Sequence, residues 1–164
     1  MLRNVSGVFG VVRSAFTFLE VMAVVVVLGI LAAMVIPKMS GVTDDARASV
    51  LRSSLGGVRA GIAAFRSRAI LAGSAPYPAL SQLTTPGAVL QQEVPENPFN
   101  HLTTVQAVSR AQADSRAVVS PSSFGWNYCV DNASDPPVAI FYANSSDATT
   151  VPDGSGGVRR ANEL

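Results

Sequence analysis

Glu20 carries the sharpest chemical demand in this chain. It stands at the front of an apolar run in which no charged residue occurs from Val21 to Ile36, and the run closes at Pro37. With Phe16, Phe18 and Leu19 added in front, the stretch reaches the length of about 20 residues that crosses a bilayer. A lone charge at the centre of a membrane helix costs about 2.5–3.5 kcal/mol on insertion scales. Glu20 therefore needs either a place near the headgroups or a positive partner. Two readings stand side by side. One is a helix-end side chain reaching back to the interface, the commoner arrangement in a single-pass anchor. The other is an ion pair with a positive group from another chain, for which the free amine of an N-terminus cleaved close by would serve.

Few other side chains suggest chemistry. His101 is the single histidine, and no Cys or second His stands near it at zinc spacing. It reads as a neutral surface or turn residue. Cys129 is the single cysteine, which excludes an intrachain disulfide and reads as a small buried hydrophobe in a strand. No nucleophile elbow and no phosphate-cradling glycine pattern occurs. The chain is therefore expected not to be an enzyme and to need no cofactor. A formal net charge of +1 makes no electrostatic case for nucleic acid as the main partner.

The segment Ala15-Phe16-Thr17-Phe18-Leu19-Glu20, the apolar run and Pro37 together resemble the N-terminal signal of type IV pilins and type II secretion pseudopilins. That class III signal is a short leader ending in a small residue, then Phe, then Glu four residues on. The likeness covers residues 13–70, is loose from 75 onward, and is nearest to the major pseudopilins. It implies that a prepilin peptidase cuts between Ala15 and Phe16 and methylates the new amine of Phe16. It further implies that Glu20 neutralises the Phe16 amine of a neighbouring subunit during filament assembly. The family usually carries Gly before the cut, where this chain has Ala15. Many pilins also close a C-terminal disulfide loop, which one cysteine cannot make. The implied partners are other copies of the chain, other pilins or pseudopilins, the prepilin peptidase and an inner-membrane assembly platform. The implied location is the inner membrane, single-pass, with the C-terminal part in the periplasm or in an extracellular filament. The charges flanking the run do not decide orientation, because Arg3 and Arg13 precede it while Lys38, Arg47 and Arg52 follow it.

The elements that position these residues follow from periodicity. Residues 1–15 read as the leader, 16–37 as the transmembrane and assembly half of a helix, and 38–72 as its amphipathic half. Leu51, Leu55, Val58, Ile62, Phe65 and Ala69 recur at steps of three and four, which places them on one helix face. Arg52, Arg59 and Arg66 repeat on another stripe and read as a solvated face. A helix from 16 to 71 would be about 80 Å long. Pro37 is expected to bend it, because proline removes a helix hydrogen bond and crowds the preceding turn. Gly73, with Pro76 and Pro78 beyond it, is a stop signal.

Residues 73–150 read as a head with a small antiparallel sheet. One helical turn is expected over 79–83, and 94–100 is a Pro-rich connector. Strands are expected over 102–108, 124–130 and 138–143, the last two as a hairpin. Trp126, Tyr128 and Val130 share one face of their strand, while Asn127 and Cys129 take the other. Residues 109–123 read as a loop or weak strand, and 151–164 as a flexible C-terminal tail. The resulting fold is α+β and pilin-like: a long N-terminal helix whose second half packs on a small antiparallel sheet. The pseudopilin resemblance also raises calcium, with Asp131, Asp135, Asp147 and Asp153 as weak candidates. The family's C-terminal acidic pattern is not reproduced, so solvated loop aspartates are the favoured reading.

The expected function is a structural subunit of a type II secretion pseudopilus or a type IV pilus-like filament. A true type IV pilin for adhesion, motility or DNA uptake shares the same anchor and stands as the near alternative. From another class, the chain could be a single-pass, membrane-tethered binding module that stays monomeric.

Overall fold

A computed structural model describes residues 17–164, leaving aside the side chains of 35–40. Helix α1 runs Phe18–Leu71. The chain divides into two compact units at Ser40 and Gly41, so α1 contributes to both. In the first unit the side chains of 18–34 are exposed all round the helix, Phe18 and Leu19 most of all. The helix backbone continues through position 37, so Pro37 does not end it. The expected bend there falls among side chains outside those described.

In the second unit the apolar stripe of α1 behaves as its spacing requires. Ala48, Leu51, Leu55, Val58, Ile62 and Ala69 are buried, with Phe65 packed against them. This stripe meets Trp126, Tyr128 and Phe141, and Trp126 stacks on Phe141 with ring centroids 5.1 Å apart. Fully burying side chains of this size removes about 1.5–3 kcal/mol of exposure each, which is what holds the helix on the sheet. The turn that closes the helix beyond Leu71 places Gly73 at a φ of 66°, which suits glycine, with Ser74 N–H donating to Ala69 O at 2.9 Å.

The next element, α2 (Leu80–Thr84), is the expected single turn and buries Leu83. The main sheet has the order β1 (Val105–Ala107), β2 (Trp126–Asp131), β3 (Val138–Ala143). Strands β2 and β3 pair antiparallel from Trp126 opposite Ala143 to Asp131 opposite Val138. The expected face assignment also holds. Trp126 and Tyr128 join the helix-side core, while Cys129 packs with Tyr142 and Ala113 on the opposite side.

Three differences from the sequence expectation concern topology. The sheet is not wholly antiparallel, because β1 lies parallel to β2, with Val105 opposite Trp126. A parallel pair cannot be joined by a tight turn and needs a crossover of a dozen or more residues. Residues 108–125 supply it, and within them α3 (Arg110–Asp114) replaces the expected loop or weak strand. Ser109 caps α3, its Oγ accepting from Gln112 N–H while Gln112 Oε1 accepts from Ser109 N–H at 2.9 Å. Finally, the expected flexible tail is a hairpin, β4 (Ala148–Pro152) with β5 (Val158–Arg160), followed by a short 3-10 turn over Ala161–Glu163. Ala161 is fully buried and Leu164 packs on the core, so residues 151–164 are part of the fold. The glycines at 154–157 that suggested flexibility form its turn, with Gly154 and Gly156 at positive φ.

Candidate functional site

The first residues described belong to a helix cap. Thr17 Oγ1 accepts the Glu20 N–H at 3.2 Å, and Thr17 O accepts the Val21 N–H at 3.2 Å. Thr-x-x-Glu is the sequence form of a capping box, and its threonine half is formed here. The Glu20 carboxylate also sits in the first turn, where the positive end of the helix dipole favours it. The sequence reading gave Glu20 a helix-end place at the interface or an ion pair, and missed the cap. Its signal, Thr three residues before Glu and ahead of an apolar run, was available in the sequence.

Glu20 is exposed, and C-terminal to it Val21, Met22, Val24, Val25, Val26, Val27, Leu28, Ile30, Leu31 and Met34 expose about half or more of their surface. A helix apolar on every side belongs in a membrane or among other apolar helices. Among the described residues no helix is long and apolar enough to cross a membrane. The described side chains of the apolar run stop at Met34, short of the length of about 20 residues a span requires. The expected cleavage site, Ala15 and Phe16, lies outside the described residues, as does the expected N-methylation at Phe16.

The other candidates are placed apart. Asp131 Oδ1 accepts the N–H groups of Ala133 and Ser134 at 3.0 and 3.1 Å. Asp147 Oδ2 accepts from Ser145 Oγ at 2.6 Å. Asp153 Oδ1 accepts from the N–H groups of Ser155 and Gly157 at 2.7 and 3.0 Å, and the Ser155 hydrogen bonds hold its carboxyl below the usual range. Asp135 is exposed in the loop between β2 and β3. Each of the three hydrogen-bonded aspartates closes its own turn, and among the described residues no group of three or more His, Cys, Asp or Glu side chains could hold a metal ion. The structure therefore does not bring the calcium candidates together. His101 is exposed, with Nδ1 2.6 Å from Glu96 Oε1. Cys129 is buried, and burial first of all raises its thiol above the ordinary value, which keeps it a poor nucleophile.

The stripe of Arg52, Arg59 and Arg66 is exposed, as expected, but two of its members carry further contacts. Arg59 Nη2 donates to Phe141 O at 3.0 Å and to Leu164 O at 2.9 Å. Burial, and then the neighbouring Arg116 charge, lowers the Arg59 guanidinium from its usual value. Arg66 lies over the Tyr77 ring, 5.1 Å from its centroid. Periodicity could not foresee this, because the partners come from loops and strands distant in sequence.

No family profile matches the chain, and neither a curated protein nor a solved structure matches it.

Proposed function

We propose that the chain is a structural subunit of a type II secretion pseudopilus or a type IV pilus-like filament, processed by a prepilin peptidase and assembled through the N-terminal half of α1. The observation that supports this reading most is the order Ala15-Phe16, Thr17 cap, Glu20, then a helix exposing apolar side chains on all sides over 18–34. Such a surface is stable only in lipid or against identical helices. Repetition of one head-to-tail contact that does not close produces a fibre. In that fibre a Glu20 carboxylate on the Phe16 amine of the next subunit sets axial register. A buried pair serves better as a register device than as a source of stability.

The test is intact-mass and N-terminal peptide spectrometry on the chain extracted from membranes of its native host. The expected product begins at N-methylated Phe16. A chain that keeps residues 1–15 while the peptidase is present would overturn the reading, and the chain would then be a permanent anchor.

A further inference from the structure

The edge of β3 carries a pocket that the filament reading does not use. Its volume is about 320 Å³, and three guanidinium groups line it: Arg59 and Arg66 from α1, and Arg116 from the loop after α3. That volume lies at the small end of ligand cavities, about 300–1,000 Å³. None of the lining residues is acidic. The two ion pairs among the described residues, Glu96 with His101 and Arg110 with Asp114, involve none of these arginines.

Each of the three cations is held by contacts of its own. Arg59 spends hydrogen bonds on Phe141 O and Leu164 O and forms the fixed back of the site. Arg66 is stacked on Tyr77 and Arg116 on Tyr142, at 5.1 and 5.2 Å from the ring centroids. Stacking immobilises a guanidinium plane while leaving its edge donors free for a planar or tetrahedral oxyanion. Arg116 Nη1 is buried without a hydrogen-bond partner. Asn162, whose Nδ2 donates to Arg116 O at 2.7 Å, leaves its own Oδ1 buried and unpartnered too. A buried donor or acceptor left unmet has lost its water and gained nothing in exchange. The Arg59 guanidinium also feels the charge of Arg116.

From this geometry we infer that the pocket binds a small organic oxyanion, a carboxylate or phosphate on a partly apolar body. Arg66 and Arg116 supply the free donors, Arg59 the fixed charge, and Ile62 and Phe141 the apolar wall. The anion accepts from Arg66 and Arg116 on the pocket wall. The inference stands apart from how the chain assembles, since every residue in it belongs to the second unit.

The experiment is isothermal titration of the full chain in detergent micelles, at constant ionic strength in chloride, with benzoate, phenyl phosphate and inorganic phosphate as probes. The expected result is saturable one-site binding of benzoate or phenyl phosphate, tighter than that of inorganic phosphate. Benzoate alone identifies a carboxylate site, and phenyl phosphate the phosphate alternative. Arg66→Gln and Arg116→Gln are each expected to weaken binding at least about tenfold, whereas Arg47→Gln, exposed on α1 and outside the pocket, leaves it unchanged. Arg66 makes a ring contact and no hydrogen bond, so its substitution keeps the fold and the test stays decisive if Arg116→Gln does not fold. No saturable binding by any probe, or wild-type affinity in Arg66→Gln, overturns the inference.

Discussion

At the scale of single residues, Tyr128 joins two distant parts of the head. Its ring is buried between α1 and the sheet, and its hydroxyl donates to Pro78 O at 2.8 Å. Burial, then Cys129 and Tyr77, raises its phenol well above the usual value. The unfolded chain releases this proton near pH 10 while the folded chain holds it higher. The resulting stabilisation is fully present below about pH 10 and is lost as pH rises toward the folded value. Tyr142 and Cys129 shift in the same direction, chiefly through burial, so the loss opens with the thiol above about pH 8.5. The urea midpoint of the full chain is therefore expected to be level from about pH 7 to 8 and to fall increasingly through about pH 11. Tyr128→Phe should lower the midpoint at pH 7 by about 1–3 kcal/mol in free energy, leaving Pro78 O unpaired, and should make the alkaline fall shallower. An unchanged slope would contradict the assignment. The asparagines show what residue type conceals. Asn97, Asn127 and Asn144 are fully buried. Asn144 alone donates to Val119 O and Phe124 O and accepts from Val119 N–H and Asn127 Nδ2. Asn is more often exposed, so nothing local marks these as keystones.

At the scale of elements, Gly125 decides where β1 can lie. A Cβ there would stand 2.1 Å from Leu102 O and 2.7 Å from Leu102 C, both backbone atoms. Its own N–H donates to Thr104 O at 2.9 Å, and its carbonyl accepts from Asn97 Nδ2 at 2.7 Å. Gly125→Ala should push the 102–104 segment away, at about 1–3 kcal/mol of overpacking. Hydrogen exchange is the direct check. Protection should drop for the amides that bind β1 to β2, while α1 between 48 and 69 keeps its protection. Equal loss in both would show that the close approach has no local role. The strands β2 and β3 and the buried face of α1 were legible, because each is an alternation or a three-four step within one short window. Strand β1 was legible as a strand but not as a parallel one, since pairing direction is set by the crossover. Helix α3 has five residues, too few for a period, although Ser109 and Gln112 wrote its cap. The hairpin β4–β5 was masked by a Ser-, Thr- and Gly-rich composition, which also suits a turn between strands.

At the scale of the molecule, the two units present different surfaces. The second buries the apolar stripe of α1 under its own sheet. The first exposes apolar side chains around the helix from Phe18 to Met34. Under the proposed assembly, membrane insertion depends on that apolar length and filament growth on the Glu20 charge. Glu20→Ala is accordingly expected to leave the chain in the membrane fraction at wild-type level and to abolish filaments seen by electron microscopy. Abundant filaments from this variant would sink the proposal, whereas loss of the chain from the membrane would make Glu20 a folding residue. The variant keeps Thr17 Oγ1 on the backbone N–H of residue 20, so the cap survives the loss of the carboxylate in part.

By itself the sequence determined the features that neighbours along the chain can specify. These are an apolar run with one carboxylate at its head, a helix face at three-four spacing, the stop at Gly73, and two alternating strands with their aromatic face inward. The helix face and the strands depend on repeats of 3.6 and 2 residues, the run and the stop on adjacent residue types, and all of these are local properties. Only the tertiary structure decided the parallel placement of β1, the burial of three asparagines, the folding back of 148–164, and the gathering of Arg59, Arg66 and Arg116. Hydrogen bonding and charge act between whatever atoms the fold brings within a few ångströms. The partners in these cases, such as Arg59 with Phe141 or Asn97 with Gly125, stand 82 and 28 positions apart in the chain.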